Sequence, residues 1–413
     1  MKKVLFINVF GDGHINPTIG LVKELMNRGE KVTYIAGEEF RDRIEKTGAA
    51  FIGHKTISPP KNRNLNQENN KPPLEVIDKL KEMIEEIIEA TLNSNEKYDF
   101  IIYDSICIIG NELGRILEIP AICSVTTFAI NEKTNVLGGA FKELGPKLQQ
   151  FSSSPLFKKF TKYIQEKYGV KLPDLSTAFA GSGMINIVYT SKYFQICGES
   201  FDERYKFIGP SITDRNEDMN FSLQTNDKKK LIYISLGSIF NNSIEFYENC
   251  FKAFSNMDAK IIMSVGKDTD IGIFKSIPSN FIVRNYVPQL EVLKQTDVFI
   301  THGGMNSTSE GLYYNVPLVL IPQSVDQPAV ANRAVELGAG IVIEKDKVTP
   351  EILKQSVVKI FSDNKFRINS EKIGKSLREA GGYKKAIDEI LDLEDLDLFY
   401  SSSKTFLSPF PPF

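Results

Sequence analysis

The chain is 413 residues long, 42% hydrophobic and 25% charged, with a formal net charge of -2. That length exceeds one ordinary core and predicts two domains of globular composition. The near-neutral charge excludes a general binder of nucleic acid or anionic membrane, which needs a basic surplus. Cys107, Cys123, Cys197 and Cys250 form no close pair. The spacing predicts reduced thiols in a cytoplasmic protein, not a disulfide frame or a zinc site. Lys2 and Lys3 before an apolar run mimic a short signal peptide, but the run is brief, holds Asn8 and lacks a small-residue cleavage site. A buried first strand is the expectation, and no apolar run reaches membrane-spanning length, so no stable membrane insertion is expected.

Strand and helix alternate over the first ~125 residues, which predicts a parallel sheet with crossover helices. Residues 4–9 read as strand one, followed by the turn Gly11-Asp12-Gly13. A helix is expected to start with Asn16 as cap and Pro17 in its first turn, with Ile19, Leu21, Val22, Leu25 and Met26 as one stripe and Gly29 as its end. Residues 31–36, 100–103 (ending in Asp104) and 121–125 are the next strands. Residues 58–73 read as a Pro- and Asn-rich surface loop, and 75–92 as an amphipathic helix. Residues 131–184 are less regular, with helical pieces between Gly and Ser.

From 214 to 230 the sequence turns polar and charged, the best linker candidate. The rhythm then restarts, with strands expected at 231–236, 260–265, 281–284, 298–301, 317–321 and 340–343. The fold class predicted is α/β, with two doubly wound, Rossmann-like domains facing across a cleft. The domains are an acceptor-side half at 1–213, a linker at 214–230 and a donor-side half at 231–392. A Pro- and Phe-rich tail occupies 393–413 and carries no assignable structure beyond disorder or packing on the first half.

The densest chemical signal is FITHGGMNSTSEG at 299–311. A buried strand runs into Gly303 and Gly304, which let the backbone turn and approach a ligand closely. A helix is expected from about Asn306, its first turn carrying unpaired N–H groups and the positive end of the helix dipole. Asn306, Ser307, Thr308 and His302 add donors. The ensemble predicts an anion site suited to phosphate, with Glu310 one turn further on to accept from a ribose diol. Any one of these residues alone would pass for a cap or a turn, but a cap needs one such residue, not six.

This run resembles the donor-binding motif of family 1 glycosyltransferases, plant and bacterial enzymes that move sugars from UDP-sugars onto small molecules. The bacterial macrolide and flavonoid glycosyltransferases look most similar. The resemblance extends to FGDGHINP near the start, FIGPSI at 207–212, Tyr286-Val287-Pro288-Gln289, Asp326-Gln327 and EAGGYKKAIDEIL at 379–391. It implies the GT-B fold and a UDP-sugar as co-substrate, with no cofactor. It also implies that Tyr286, where the family usually has Trp, stacks on the base, which leaves uracil and thymine both open. Val287 and Gln289 would meet base and ribose, and Glu310 the ribose hydroxyls. His302, Gly304, Asn306, Ser307 and Ser238 would surround the diphosphate, and Asp326 and Gln327 the sugar hydroxyls. Glucose is favoured over other hexoses.

His14 follows strand one in the loop where open α/β sheets place ligands. Its imidazole titrates near working pH and can take a proton from an acceptor hydroxyl. Asp104 ends a strand of the same half and would orient the ring, with Asp12 as the alternative carboxylate. The resemblance gives His14 and Asp104 the same catalytic roles. The expected reaction is a direct, inverting displacement with the diphosphate stabilised by His302 and the helix N-terminus, so no metal is required. Asp268-Thr269-Asp270 spells a metal-binding motif but reads as a turn. The partners expected are a nucleotide sugar and a small hydrophobic acceptor. Phe128, Phe141 and Phe151 read as core before pocket, and His54 as surface or pocket rim. The sequence leaves the oligomeric state open. Two other classes compete. One is an NAD(P)-dependent oxidoreductase, with Gly11 and Gly13 as dinucleotide loop and Glu38 as ribose acid. The other is a non-catalytic nucleotide-sugar binder.

Overall fold

The structure is a computed structural model. It describes residues 1–9, 11–54, 74–94, 96–137, 149–173, 183–213, 229–237, 243–323 and 326–392. Most of the expected linker, Phe141, Ser238 and the tail 393–413 lie outside these residues.

The first sheet holds β1 (Lys3–Ile7), β2 (Lys31–Gly37), β3 (Ala50–His54), β4 (Phe100–Asp104), β5 (Ala121–Val125), β6 (Ile185–Val188) and β7 (Tyr205–Phe207). Their order is β3-β2-β1-β4-β5-β6-β7, all parallel. The second holds β8 (Lys230–Ser235), β9 (Ala259–Ser264), β10 (Phe281–Arg284), β11 (Val298–Thr301), β12 (Leu318–Leu320) and β13 (Gly340–Val342). Their order is β10-β9-β8-β11-β12-β13, also parallel. Each sheet therefore runs outward on both sides of its first strand. The order reverses between β1 and β4 in one half and between β8 and β11 in the other, and such switch points are where open α/β sheets take ligands.

Both faces of each sheet are covered, so the central strands are continuously apolar. Leu5, Ile7 and Ile101 enter one core and Val4, Phe6 and Phe100 the other. Ile232 and Ile234 enter a third, and Leu231 and Tyr233 a fourth. That fourth core also takes Phe128 and Phe194 from the first half, rings 5.6 Å apart, so an apolar seam joins the halves. Phe151 packs on Phe157. Phe128 and Phe151 are thus core residues.

The last described helix, Gly382–Leu391, crosses back to the first half. Ala386, Ile387 and Ile390 are buried in the same core as Val4 and Phe6, and Arg28 pairs with Asp388 at 2.7 Å. The FIGPSI stretch serves this crossing. Gly209 has φ +75, and a Cβ there would meet the Leu377 carbonyl at 2.3 Å, while Gly382 donates its N–H to the Ile208 carbonyl. Ile387→Ala should therefore destabilise the first half by about 2–5 kcal/mol, the usual cost of an emptied aliphatic core position. Urea unfolding followed by a first-half probe checks this, and an unchanged transition would show the helix to be dispensable there.

Two expectations are corrected. The first helix is Asp12–Asn27, with Gly11 at its N-cap, so Asn16 is not a cap and Pro17 lies inside the helix. The glycine turn is itself helical, which lifts His14 into the first turn. His54 is buried, 4% exposed, and its Nε2 donates to the Asn8 carbonyl at 3.1 Å. It ends a strand paired with β2 and does not stand on a rim.

Candidate active site

His14, Asp104 and Thr126 follow or end β1, β4 and β5, three adjacent strands. The sheet order alone brings them together. His14 Nδ1 lies 2.8 Å from Asp104 Oδ2, and Thr126 Oγ1 lies 2.8 Å from the same nitrogen. Asp104 is fully buried and also accepts from the Ile106 N–H, while the His14 side chain is 26% exposed. Burial opposes the imidazolium, but the charge and hydrogen bond of Asp104, and Asp326 from the other half, hold the His14 pKa above its ordinary value. Asp12 does not compete for this role. Its carboxylate accepts from Arg43 at 2.7 Å, as does Asn16 Oδ1 at 2.6 Å.

The second half presents its counterpart at the other switch point. Gly303 takes φ +79 after β11, and the helix Met305–Tyr313 starts from Gly304 with no side chain capping it. The first helical bond runs from Thr308 N to Gly304 O, so the preceding amides have no partner within the helix. His302 stands at this mouth in a slot between glycines. A Cβ at Gly237 would meet its Cε1 at 2.6 Å, and one at Gly304 its Nε2 at 2.4 Å. Burial lowers the His302 pKa to about 4. It is a neutral donor at working pH, so charge there comes from the helix dipole and not from the ring.

Away from the mouth, Gln289 Nε2 donates to Glu310 Oε2 at 2.7 Å, and Tyr233 donates to Gln289 Oε1 at 3.1 Å. Glu310 is 3% exposed. Its oxygens and Gln289 are thus held together, on the helix turn after Ser307. Tyr286 is 46% exposed and is followed by the buried Val287. Asp326 begins the helix Gln327–Glu336. Gln327 is buried and its Oε1 accepts from the Gln323 N–H at 2.8 Å. Ser238 lies outside the described residues.

The halves touch at the site. Thr127 donates to Asp326 Oδ2 at 2.9 Å, and Asn306 Nδ2 donates to the Gly13 carbonyl at 2.8 Å. Pro17 explains the second contact. Four residues after Gly13, it has no N–H to give that carbonyl, and Asn306 supplies the donor instead. Thr126, Thr127 and Gly237 were missed in the sequence. The available signal was a polar pair directly after an apolar strand.

The rival features find other uses. Glu38 is surface-exposed and paired with Arg41 at 2.6 Å. Asp270 accepts from the Gly272 N–H at 2.9 Å and Thr269 bonds the Val265 carbonyl, so the Asp-Thr-Asp run is a capped turn. The four cysteines are free, and burial pushes the Cys107 thiol up to about 12. Among the described residues no helix is long and apolar enough to cross a membrane.

Comparison with known proteins agrees with this architecture. Residues 11–100 match the glycosyltransferase family 28 N-terminal domain, and residues 248–380 the erythromycin biosynthesis protein CIII-like C-terminal domain. The uncharacterized UDP-glucosyltransferase YojK of Bacillus subtilis is 36% identical, over 95% of this chain and 97% of its own length. The NDP-glycosyltransferase YjiC of the same organism is 37% identical, over 94% and 97%. The crystal structure of the calicheamicin glycosyltransferase CalG4 superposes with a TM-score of 0.80 at 26% identity, covering 95% of this chain and 98% of that one. The chain belongs to the UDP-glycosyltransferase family of GT-B fold, and it is a hexosyltransferase.

Proposed function

We propose that this enzyme transfers a hexose, glucose by preference, from a UDP-sugar to a hydroxyl of a small hydrophobic acceptor of the polyketide, macrolide or flavonoid kind. The reaction is a single inverting displacement without metal or further cofactor, carried out in the cytoplasm. His14 removes the acceptor proton. The acceptor oxygen bonds to the anomeric carbon as the bond from that carbon to the diphosphate oxygen breaks, and UDP leaves with the electron pair. His302 and the amides at the Gly304–Ser307 turn receive the charge that develops on the diphosphate. Asp326 and Gln327 serve the sugar hydroxyls, Tyr286 the base, and Glu310 with Gln289 the ribose.

The observation that carries this reading is the 2.8 Å contact from Asp104 to His14, at a switch point facing the uncapped helix of the other half. A nucleotide sensor has no use for an oriented base, and a dehydrogenase would need the space His14 fills. The acceptor class rests on kinship with proteins such as the calicheamicin glycosyltransferase. Incubation with UDP-hexoses and a panel of phenolic and macrolide acceptors, read by mass spectrometry, should yield acceptor plus one hexose and free UDP. An α-linked donor should give the β-glycoside by NMR. No product from any UDP-hexose, together with no thermal shift on adding UDP, would sink the reading.

A further inference from the structure

One nitrogen of His14 faces two oxygens at the same distance. Asp104 Oδ2 and Thr126 Oγ1 each lie 2.8 Å from Nδ1. A carboxylate oxygen has no hydrogen to give, so Nδ1 must carry one, which makes Nε2 the basic nitrogen. The Thr126 hydroxyl can then only accept from that same N–H. If it donated instead, Nδ1 would be bare and its lone pair would face Asp104 at 2.8 Å. A hydroxyl and a carboxylate from two neighbouring strands thus share one hydrogen. A single bond would let the imidazole rock about the Nδ1–O axis, whereas two oxygens fix its plane.

We propose that Thr126 is a positioning residue for the base: by sharing the Nδ1 hydrogen with Asp104 it fixes the ring and adds a second acceptor to the imidazolium. Thr126 is 4% exposed and is the first residue after β5, whose pairing with β4 sets Ser124 opposite Asp104 and so brings the bend at Thr126 close to that carboxylate. The charged groups that act on the ring are Asp104 at the end of β4 and Asp326 from the second half, while Asp12, on the ring's own helix, is paired with Arg43 of the helix Arg41–Glu45. Thr126 is the neutral member of this set. An N–H···O bond strengthens when the ring is charged, so losing the hydroxyl should make the imidazolium less stable.

The chain has three histidines, His14, His54 and His302, so the ring signals separate readily in ¹⁵N-labelled protein. The wild-type His14 midpoint should lie above 6.5. Thr126→Val keeps the shape without the hydroxyl and should lower it by about 0.5 pH unit or more. Thr126→Ser keeps the hydroxyl and should titrate like the wild type, so a serine midpoint that falls as far as the valine one would refute hydroxyl sharing; if the valine variant fails to fold, Thr126→Ala takes its place with the same expected fall. A valine midpoint equal to the wild type would overturn the proposal. The turnover arm rests on the transferase reading: the low-pH limb of kcat/KM should move down with the NMR midpoint. A shifted midpoint with no turnover in any variant would sink that reading and leave Thr126 in place, while normal turnover with an unmoved midpoint would do the reverse.

Discussion

His14→Ala should lower kcat for hydroxyl acceptors by roughly 100- to 10,000-fold, the usual worth of a positioned general base, while the affinity for UDP stays within about twofold. The split follows from the geometry. His14 belongs to the β1 switch point, and the proposed diphosphate seat to the β11 turn and the helix after it. A group on one half that acts only on the acceptor proton contributes nothing to nucleotide binding. Initial rates and calorimetric titration with UDP measure the two quantities separately. An acceptor that is already ionised, such as an acidic phenol above its pKa, should lose much less than an alcohol. The pH dependence has a definite sign. The base works when neutral, and Asp104 and Asp326 raise the His14 pKa, so activity should fall as pH drops through a value above 6.5. Retention of most turnover in the alanine variant would remove His14 from the mechanism.

How much of this was visible in the sequence varies by element. The strands at 121–125 and 298–301 were read to the residue, because strands buried on both faces are largely hydrophobic runs, and the edge strand at 281–284, which ends in the exposed Arg284, matched as well. β3, β6 and β7 were not read. β3 contains Gly53 and leads into a Pro- and Asn-rich stretch, and β7 is only three half-buried residues. The sequence places the first helix five residues late, because Pro17 has the form of a first-turn marker. Its true role appears only across the cleft, where Asn306 occupies the carbonyl that Pro17 leaves open. The turn and helix start at 302–308 were legible because six polar and glycine residues cluster directly after an apolar strand. The His14–Asp104 contact spans 90 residues. Residue types suggested it, but only the strand order could establish it. Thr126 escaped because a threonine after a strand is ordinary until a histidine is found beside it. The pairing of Gln289 with Glu310 likewise needs the helix Gln289–Leu293 to pack beside the helix Met305–Tyr313, although β10 and β11 lie two strands apart in the sheet.

The proposed diphosphate seat is where a single methyl group should do most harm to binding. Gly304 has φ -64 and ψ 148, a conformation open to any residue, so Gly304→Ala introduces no backbone strain. Its Cβ would, however, fall 2.4 Å from His302 Nε2. Gly237 also lies close against the ring, where an added Cβ would fall 2.6 Å from Cε1, so the slot is narrow. Either His302 leaves its slot or the helix mouth shifts, and both move donors that must converge on one anion. The dissociation constant for UDP should rise roughly 10- to 100-fold, about 1.4–2.8 kcal/mol, with little change in melting temperature. Gly303→Ala provides the contrast. At φ +79 it incurs a left-handed penalty of roughly 1–2 kcal/mol, yet its Cβ would meet Ala331 at an ordinary 3.4 Å. It should therefore lower the melting temperature more than it weakens UDP binding. If Gly304→Ala bound UDP like the wild type, the nucleotide would not sit at this helix, and the donor half of the mechanism would have to be sought elsewhere.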